Sequence, residues 1–180
     1  MSDNIATPSQ TVGPFFHFGI TTDDSLGTLA ASGADAFVRL RIRVLDGAND
    51  PLPDSMIEVY QANAAGAYGA PGFSGFGRLA THADGSCTFD TIRPGPVTDA
   101  QGRAQAAHIN VCLFARGLLR QLYTRVYFAG DPDLDADPVL ALVPVDRRAT
   151  LLATAVAGAP GQWTWDVHLQ GPSETAFFDL

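Results

Sequence analysis

The sequence predicts an all-β chain: an antiparallel β-sandwich with an extended N-terminal arm and one short surface helix. Three observations predict it. Apolar residues alternate with arginines across residues 38–44, short runs rich in β-branched and aromatic residues recur along the chain, and glycine and proline clusters separate those runs. Repeated short strands with turn clusters between them are the pattern of a sandwich. At 180 residues the chain fits one domain with a sizeable core, and nothing in its length requires a second.

The first element is the arm, residues 1–36, rich in Thr, Pro, Gly and Ser and without a sustained helical or strand period. Within it Thr7-Pro8-Ser9-Gln10-Thr11-Val12-Gly13-Pro14-Phe15-Phe16 carries two prolines and, with Phe18, three close aromatics. A disordered tail rarely carries aromatics this way, so the arm is expected to pack against something. The domain follows, residues 37–180. Val38, Leu40, Ile42 and Val44 alternate with Arg39, Arg41 and Arg43, which is the period of a half-buried strand. Asp46-Gly47 and Asn49-Asp50-Pro51 make a turn, and residues 56–60 form the next strand. Further strands are predicted over 86–92, 108–114, 122–128 and 163–169. The glycine-rich stretch 66–85 reads as a long shaped loop. Residues 146–154 combine a capping aspartate, Asp146, with good helix formers and read as the short helix.

Composition excludes several function classes. No apolar run approaches the ~20 residues of a membrane span. The N-terminus has neither the basic nor the apolar region of a secretory signal, which points to the cytoplasm. The net charge is -8 and all eleven basic residues are arginine, a poor match to a phosphate backbone, so nucleic acid is not an expected partner. A small anionic substrate is compatible, because one arginine can grip a carboxylate bidentately. Cys87 and Cys112 each lie in a strand-like stretch, which suits buried reduced thiols.

Chemistry-bearing motifs are sparse. The four histidines show none of the H-x-H or H-E-x-x-H spacings of a metal site. His108 and Asn110 share one face of a strand, which is either half a metal site or a hydrogen-bonded polar patch. No G-x-S-x-G elbow and no nucleotide-binding glycine loop occurs. Arg116 follows an apolar strand and precedes Gly117, a position open both to a substrate clamp and to a structural arginine.

Six segments in one order resemble the intradiol catechol dioxygenases, and within them the alpha chains of the heteromeric protocatechuate-cleaving branch. They are Thr7 to Thr11 with Gly13-Pro14; Ile57-Glu58-Val59-Tyr60-Gln61-Ala62-Asn63; Thr91-Ile92-Arg93-Pro94-Gly95; His108-Ile109-Asn110 leading to Phe114-Ala115-Arg116-Gly117; Thr124-Arg125-Val126-Tyr127-Phe128; and Gln170-Gly171 to Thr175-Ala176-Phe177-Phe178-Asp179. The resemblance implies a β-sandwich and aromatic ring opening by O2. It also implies a heteromer in which a homologous beta subunit holds Fe(III) with two tyrosines and two histidines.

Placed on that pattern, this chain keeps Tyr68 and His108 and has Val97 and Asn110 where the other two ligands would stand. Valine cannot ligate and an amide oxygen is a weak donor to ferric iron, so no metal is expected in this chain. Arg125, in place of a neutral glutamine, is expected to enter the emptied position and hydrogen-bond Tyr68. Thr11, Gly13, Pro14 and Phe15 match residues that wall the aromatic substrate from the alpha arm, with Phe15 lacking a usual hydroxyl. Arg116 matches an arginine that would attract a dihydroxybenzoate carboxylate. The arm is thereby expected to pack on the partner chain. Two other readings stay open: a self-sufficient catechol dioxygenase and a non-catalytic β-sandwich binding module.

Overall fold

The alternation at residues 38–44 becomes β1 (Phe37–Leu45), with Val38, Leu40, Ile42 and Val44 buried while Arg39, Arg41 and Arg43 lie outside. Those arginines meet carboxylates on neighbouring segments: Arg39 bonds Asp90, Arg41 bonds Asp84 and Arg43 bonds Asp166. The computed structural model describes residues 7–13 and 15–179 and adds nine strands to β1. These are β2 (Met56–Gln61), β3 (Phe76–Ala80), β4 (Ser86–Ile92), β5 (Val97–Thr98), β6 (Ala104–Gln105), β7 (His108–Phe114), β8 (Leu122–Phe128), β9 (Leu152–Ala155) and β10 (Gln162–His168).

One sheet runs β3-β2-β7-β8 and the other β4-β1-β10, with β9 as the corner. Leu152 and Ala153 of β9 pair with β8, whereas Thr154 and Ala155 pair with β10, so one strand serves both layers. The inner faces meet in a single cluster that includes Leu40, Ile42, Ile57, Phe89, Val111, Leu113, Phe128 and Val167. Burial of that apolar surface is the main stabilising term. The all-β sandwich is as expected. Pairing is mixed, because β1 runs parallel to β10 and β8 runs parallel to β9.

Three local expectations change. First, the expected helix over 146–154 is a 3-10 turn over Val145–Leu151, and residues 152–155 are the corner strand. Asp146 does not cap it; Pro144 occupies the cap position, and its carbonyl accepts the Arg147 N–H. The sheet ladder claims residues 152–155, so helix propensity there gives way to tertiary pairing.

Second, the 66–85 stretch is not all loop, since β3 occupies its second half. Gly77 within β3 reflects close packing, because a Cβ there would stand 2.7 Å from the Leu29 side chain and 2.8 Å from the Leu26 carbonyl. Third, the arm is not extended throughout. Helix α1 (Phe15–Ile20) and a 3-10 turn over Asp24–Gly27, capped by the Asp23 side chain, interrupt it. Both are too short to display a period. Leu29 and Ala30 then donate to the Asp90 carbonyl and fasten the arm's end to β4.

Both cysteines are free, Cys87 in the core and Cys112 half-buried, which agrees with the reading of reduced thiols. Burial pushes the Cys87 thiol up to about 12 and the Cys112 thiol up to about 11. No helix among the described residues is long and apolar enough to cross a membrane.

Candidate functional site

The even-numbered residues of β7 face away from the core, and two register rows assemble there. Tyr60, Asn110 and Arg125 lie side by side across β2, β7 and β8; His108 and Tyr127 form the next row. Alternation alone delivers these polar side chains to one surface, because Ile109, Val111 and Leu113 take the core face.

Tyr68 arrives from a loop that is held in shape by Asn63. The Asn63 carboxamide oxygen accepts from the Ala65 and Ala67 N–H groups, and its backbone N–H donates to the Ala67 carbonyl. Gly66 has φ +79° and approaches the 95–97 segment so closely that an added Cβ would lie 2.0 Å from the Pro96 carbonyl oxygen. Gly95 packs in the same way against Ala64, where a Cβ would stand 2.4 Å from the carbonyl oxygen. These close contacts place the loop that carries Tyr68 beside the segment that carries Val97. The Tyr68 ring stacks on Tyr60 with centroids 5.1 Å apart.

Four groups then form one directed chain. His108 is buried, and its Nδ1–H donates to the Ala106 carbonyl at 2.7 Å, which leaves Nε2 bare in the neutral ring. The Tyr68 hydroxyl, 3.3 Å away, donates to that Nε2 and accepts from Asn110 Nδ2 at 2.9 Å. Asn110 Nδ2 also donates to the Tyr60 carbonyl at 3.2 Å, and a carbonyl can only accept, so this contact fixes which end of the amide points there. The Asn110 oxygen is consequently buried with no partner, at a cost of about 1–3 kcal/mol.

Electrostatics keep this chain neutral. Burial first, and the Arg125 charge second, lower the His108 pKa to about 4. Burial raises the Tyr68 pKa, outweighing the Asn110 hydrogen bond and the Arg125 field that favour the phenolate. Arg125 itself donates to the Gln105 side chain of β6 at 2.8 Å. Its expected bond to Tyr68 does not form: the guanidinium turns to Gln105, and the Tyr68 hydroxyl meets His108 and Asn110 instead.

This set does not fit a ferric ion. Tyr68 and His108 supply two strong donors, Asn110 supplies a neutral amide oxygen, and Val97 supplies none. The Arg125 cation beside them opposes a second, trivalent cation. No cluster of three or more His, Cys, Asp or Glu suited to a metal occurs among the described residues.

The substrate-facing candidates gather elsewhere. The Thr11 hydroxyl accepts from the Gly117 N–H at 2.8 Å and donates to the Ala115 carbonyl at 3.4 Å, which ties the arm to the turn that carries Arg116. Arg116 donates to the Pro53 carbonyl at 3.1 Å and remains exposed. A Cβ built on Gly13 meets no described atom within 4 Å. Pro14 and the Phe15 side chain lie outside the described residues. Thr11 and Arg116 thus stand beyond one end of β7 and His108 at the other, six residues or about 20 Å of strand apart. The candidates form two clusters and not one pocket.

Sequence reasoning passed over three residues of the first cluster. Tyr60 was legible as the outward residue after Val59, whereas nothing local marked Gln105 as the Arg125 acceptor. Asn63 carried the signal of an Asx turn ahead of a glycine.

Residues 12–171 match the model of the dioxygenase family Dioxygenase_C. The chain is 41% identical to the protocatechuate 3,4-dioxygenase alpha chain of Burkholderia cepacia, over 97% of each chain. It is 38% identical to that of Pseudomonas putida, over 97% of this chain and 96% of the relative. The Burkholderia cepacia beta chain is 34% identical over 74% of this chain and 64% of its own length. Among solved structures, the dioxygenase domain of a carbohydrate-binding fusion from Streptomyces sp. SirexAA-E superposes with a TM-score of 0.64 at 27% identity, covering 94% of this chain and all of that one. A family match over residues 12–171 and similarity along 97% of the chain to the alpha-chain relatives, together with the sandwich that brings Tyr68 and His108 side by side, make this protein a member of the intradiol ring-cleaving dioxygenase family.

Proposed function

We propose that this chain is the alpha-type, iron-free subunit of a heteromeric protocatechuate 3,4-dioxygenase and acts with a homologous beta subunit that holds Fe(III). The assembled enzyme cleaves 3,4-dihydroxybenzoate with O2, between the hydroxylated carbons, to 3-carboxy-cis,cis-muconate. The observation that carries this reading is the neutral hydrogen-bonded chain of His108, Tyr68 and Asn110, beside the Arg125 cation, where a four-donor site would be needed.

What this chain contributes is its second cluster. Thr11, Gly13, Pro14 and Phe15 wall the substrate ring on the partner's side, and Arg116 attracts the ring carboxylate. The Thr11 contacts with the 115–117 turn support this, because they hold the arm and the arginine together as one presented edge. Glycine at position 13 suits a backbone that approaches a flat ring. We place the enzyme in the cytoplasm, where free Cys87 and Cys112 stay reduced.

Co-expression with a beta chain tests the proposal. The expected result is a stable complex that takes up O2 on addition of 3,4-dihydroxybenzoate, with about one iron per pair of chains, and an isolated alpha-type chain with no iron and no activity. Stoichiometric ferric iron and ring cleavage by the isolated chain would overturn it.

A further inference from the structure

Five arginines lie on strands, and four of them face a carboxylate: Arg39 with Asp90, Arg41 with Asp84, Arg43 with Asp166, and Arg78 with Glu58. Arg125 is the exception. Its side chain donates to the neutral amide of Gln105, although it is only half-buried and open to an anion from outside. In the same register row stands Asn110, more than nine-tenths buried, with an acceptor oxygen that has no donor. A cation lacking an anion and an acceptor lacking a donor sit on adjacent strands, at directly opposed positions.

The surface around them is aromatic. Tyr60 and Tyr68 stack with their outer surfaces open, at 41% and 36% exposure. A cavity of about 330 Å³ opens beside Tyr60, lined by Glu58, Tyr60, Phe76, Asn110, Cys112 and Tyr123 with Val59 and Gln121; Arg125 is not in its lining but stands opposite Asn110, which is. Its size is at the low end for ligand pockets and suits a single ring. Glu58 does not repel an anion strongly, because Arg78 neutralises it. The Tyr68 loop is flanked by Gly66 and Gly69, both at positive φ, and a Cβ on Gly69 would meet nothing within 4 Å.

We propose that this face is a metal-free binding site for a hydroxylated aromatic carboxylate, separate from the ferric site assigned above to the partner. The carboxylate pairs with the Arg125 guanidinium, the ring lies along Tyr60 and Tyr123, and the ring hydroxyl donates to the Asn110 oxygen as the side chains over that oxygen rearrange. Each ligand group answers a specific deficit: charge at Arg125, a donor at Asn110, and a flat apolar body against the tyrosines. The binding step makes and breaks no covalent bond.

Calorimetric titration of the full chain, purified without any partner, tests this independently of the heteromer. The probes are 3-hydroxybenzoate and 4-hydroxybenzoate, compared with benzoate and phenol. One saturable site per chain is expected for at least one hydroxybenzoate, with at least tenfold weaker binding of benzoate, which lacks the donor, and of phenol, which lacks the anion. Arg125→Gln is expected to weaken hydroxybenzoate binding at least tenfold and Arg125→Lys to restore part of it. Absence of saturable binding, equal affinity for all four probes, or full affinity in folded Arg125→Gln would overturn the proposal. The wild-type probe series decides the matter even if the variants do not fold. Failure here leaves the O2-uptake result untouched, and failure of that result leaves this one standing.

Discussion

His108 shows how one residue couples the site to pH. Its pKa is about 4 in the folded chain, below the ordinary histidine value of 6.5, chiefly because the ring is desolvated. Between those two values the unfolded chain binds a proton that the folded chain does not. Stability from this residue is therefore complete above pH 6.5, falls as the pH drops towards 4, and changes no further below it. The span corresponds to on the order of 3 kcal/mol. Asp84 is held at about 2 by its bonds with Ser86, so its loss of stability falls in a lower window, beginning near pH 4. Thermal melting between pH 4 and 6.5 should show a falling midpoint in the wild type and a shallower slope in His108→Gln, which does not titrate there. Equal slopes would mean that His108 is solvated and its chain with Tyr68 is not formed in solution.

At the scale of elements, the position of Tyr68 depends on two loops clasped through backbone. Gly66 adopts a left-handed conformation directly over the Pro96 carbonyl, so alanine there suffers both backbone strain and collision with an atom that cannot rotate away. Gly66→Ala should cost about 2 kcal/mol or more in chemical denaturation. It should also release the Tyr60–Tyr68 stack, read as a loss of near-ultraviolet circular dichroism from tyrosine. A variant with wild-type stability and an unchanged tyrosine signal would show that the loops are not clasped. The same scale explains the helix that became a strand. Residues 152–155 carry helix formers, yet β9 is the place where one sheet passes to the other, and its ladder bonds outweigh a propensity worth tenths of a kcal/mol per residue.

At the scale of the whole molecule, Arg93 joins the two layers. Its guanidinium lies 4.3 Å from the ring centroid of Phe128 in β8 and 5.5 Å from that of Trp163 in β10, and it donates to Asp131 at 2.7 Å. The Asp131 side chain is nearly buried, so removal of the cation leaves a carboxylate without its partner. Arg93→Met should destabilise the fold by about 2–3 kcal/mol, less than a fully buried pair because Arg93 itself reaches solvent. Equilibrium unfolding in urea checks the value. By contrast, the Arg39, Arg41 and Arg43 pairs lie on an open sheet face, where single replacements should cost no more than about 1 kcal/mol each.

Local pattern alone determined much of this protein. Period-2 alternation located β1, and short β-rich runs between turn clusters located β2, β4, β7, β8 and β10 to within a residue or two. The family resemblance singled out positions 68, 97, 108 and 110, and the residue types there then stated which metal donors the chain possesses, since ligating chemistry belongs to the side chain itself. Tertiary structure decided what is relational. It paired β1 in parallel with β10, gave β9 to both sheets, and turned Arg125 towards Gln105 instead of Tyr68. It also set Thr11 against Gly117 across more than a hundred residues, and parted that edge from the His108 end of β7. Hydrogen bonds between residues distant in sequence leave no trace in local periodicity; they exist only once the packed layers bring donor and acceptor within reach.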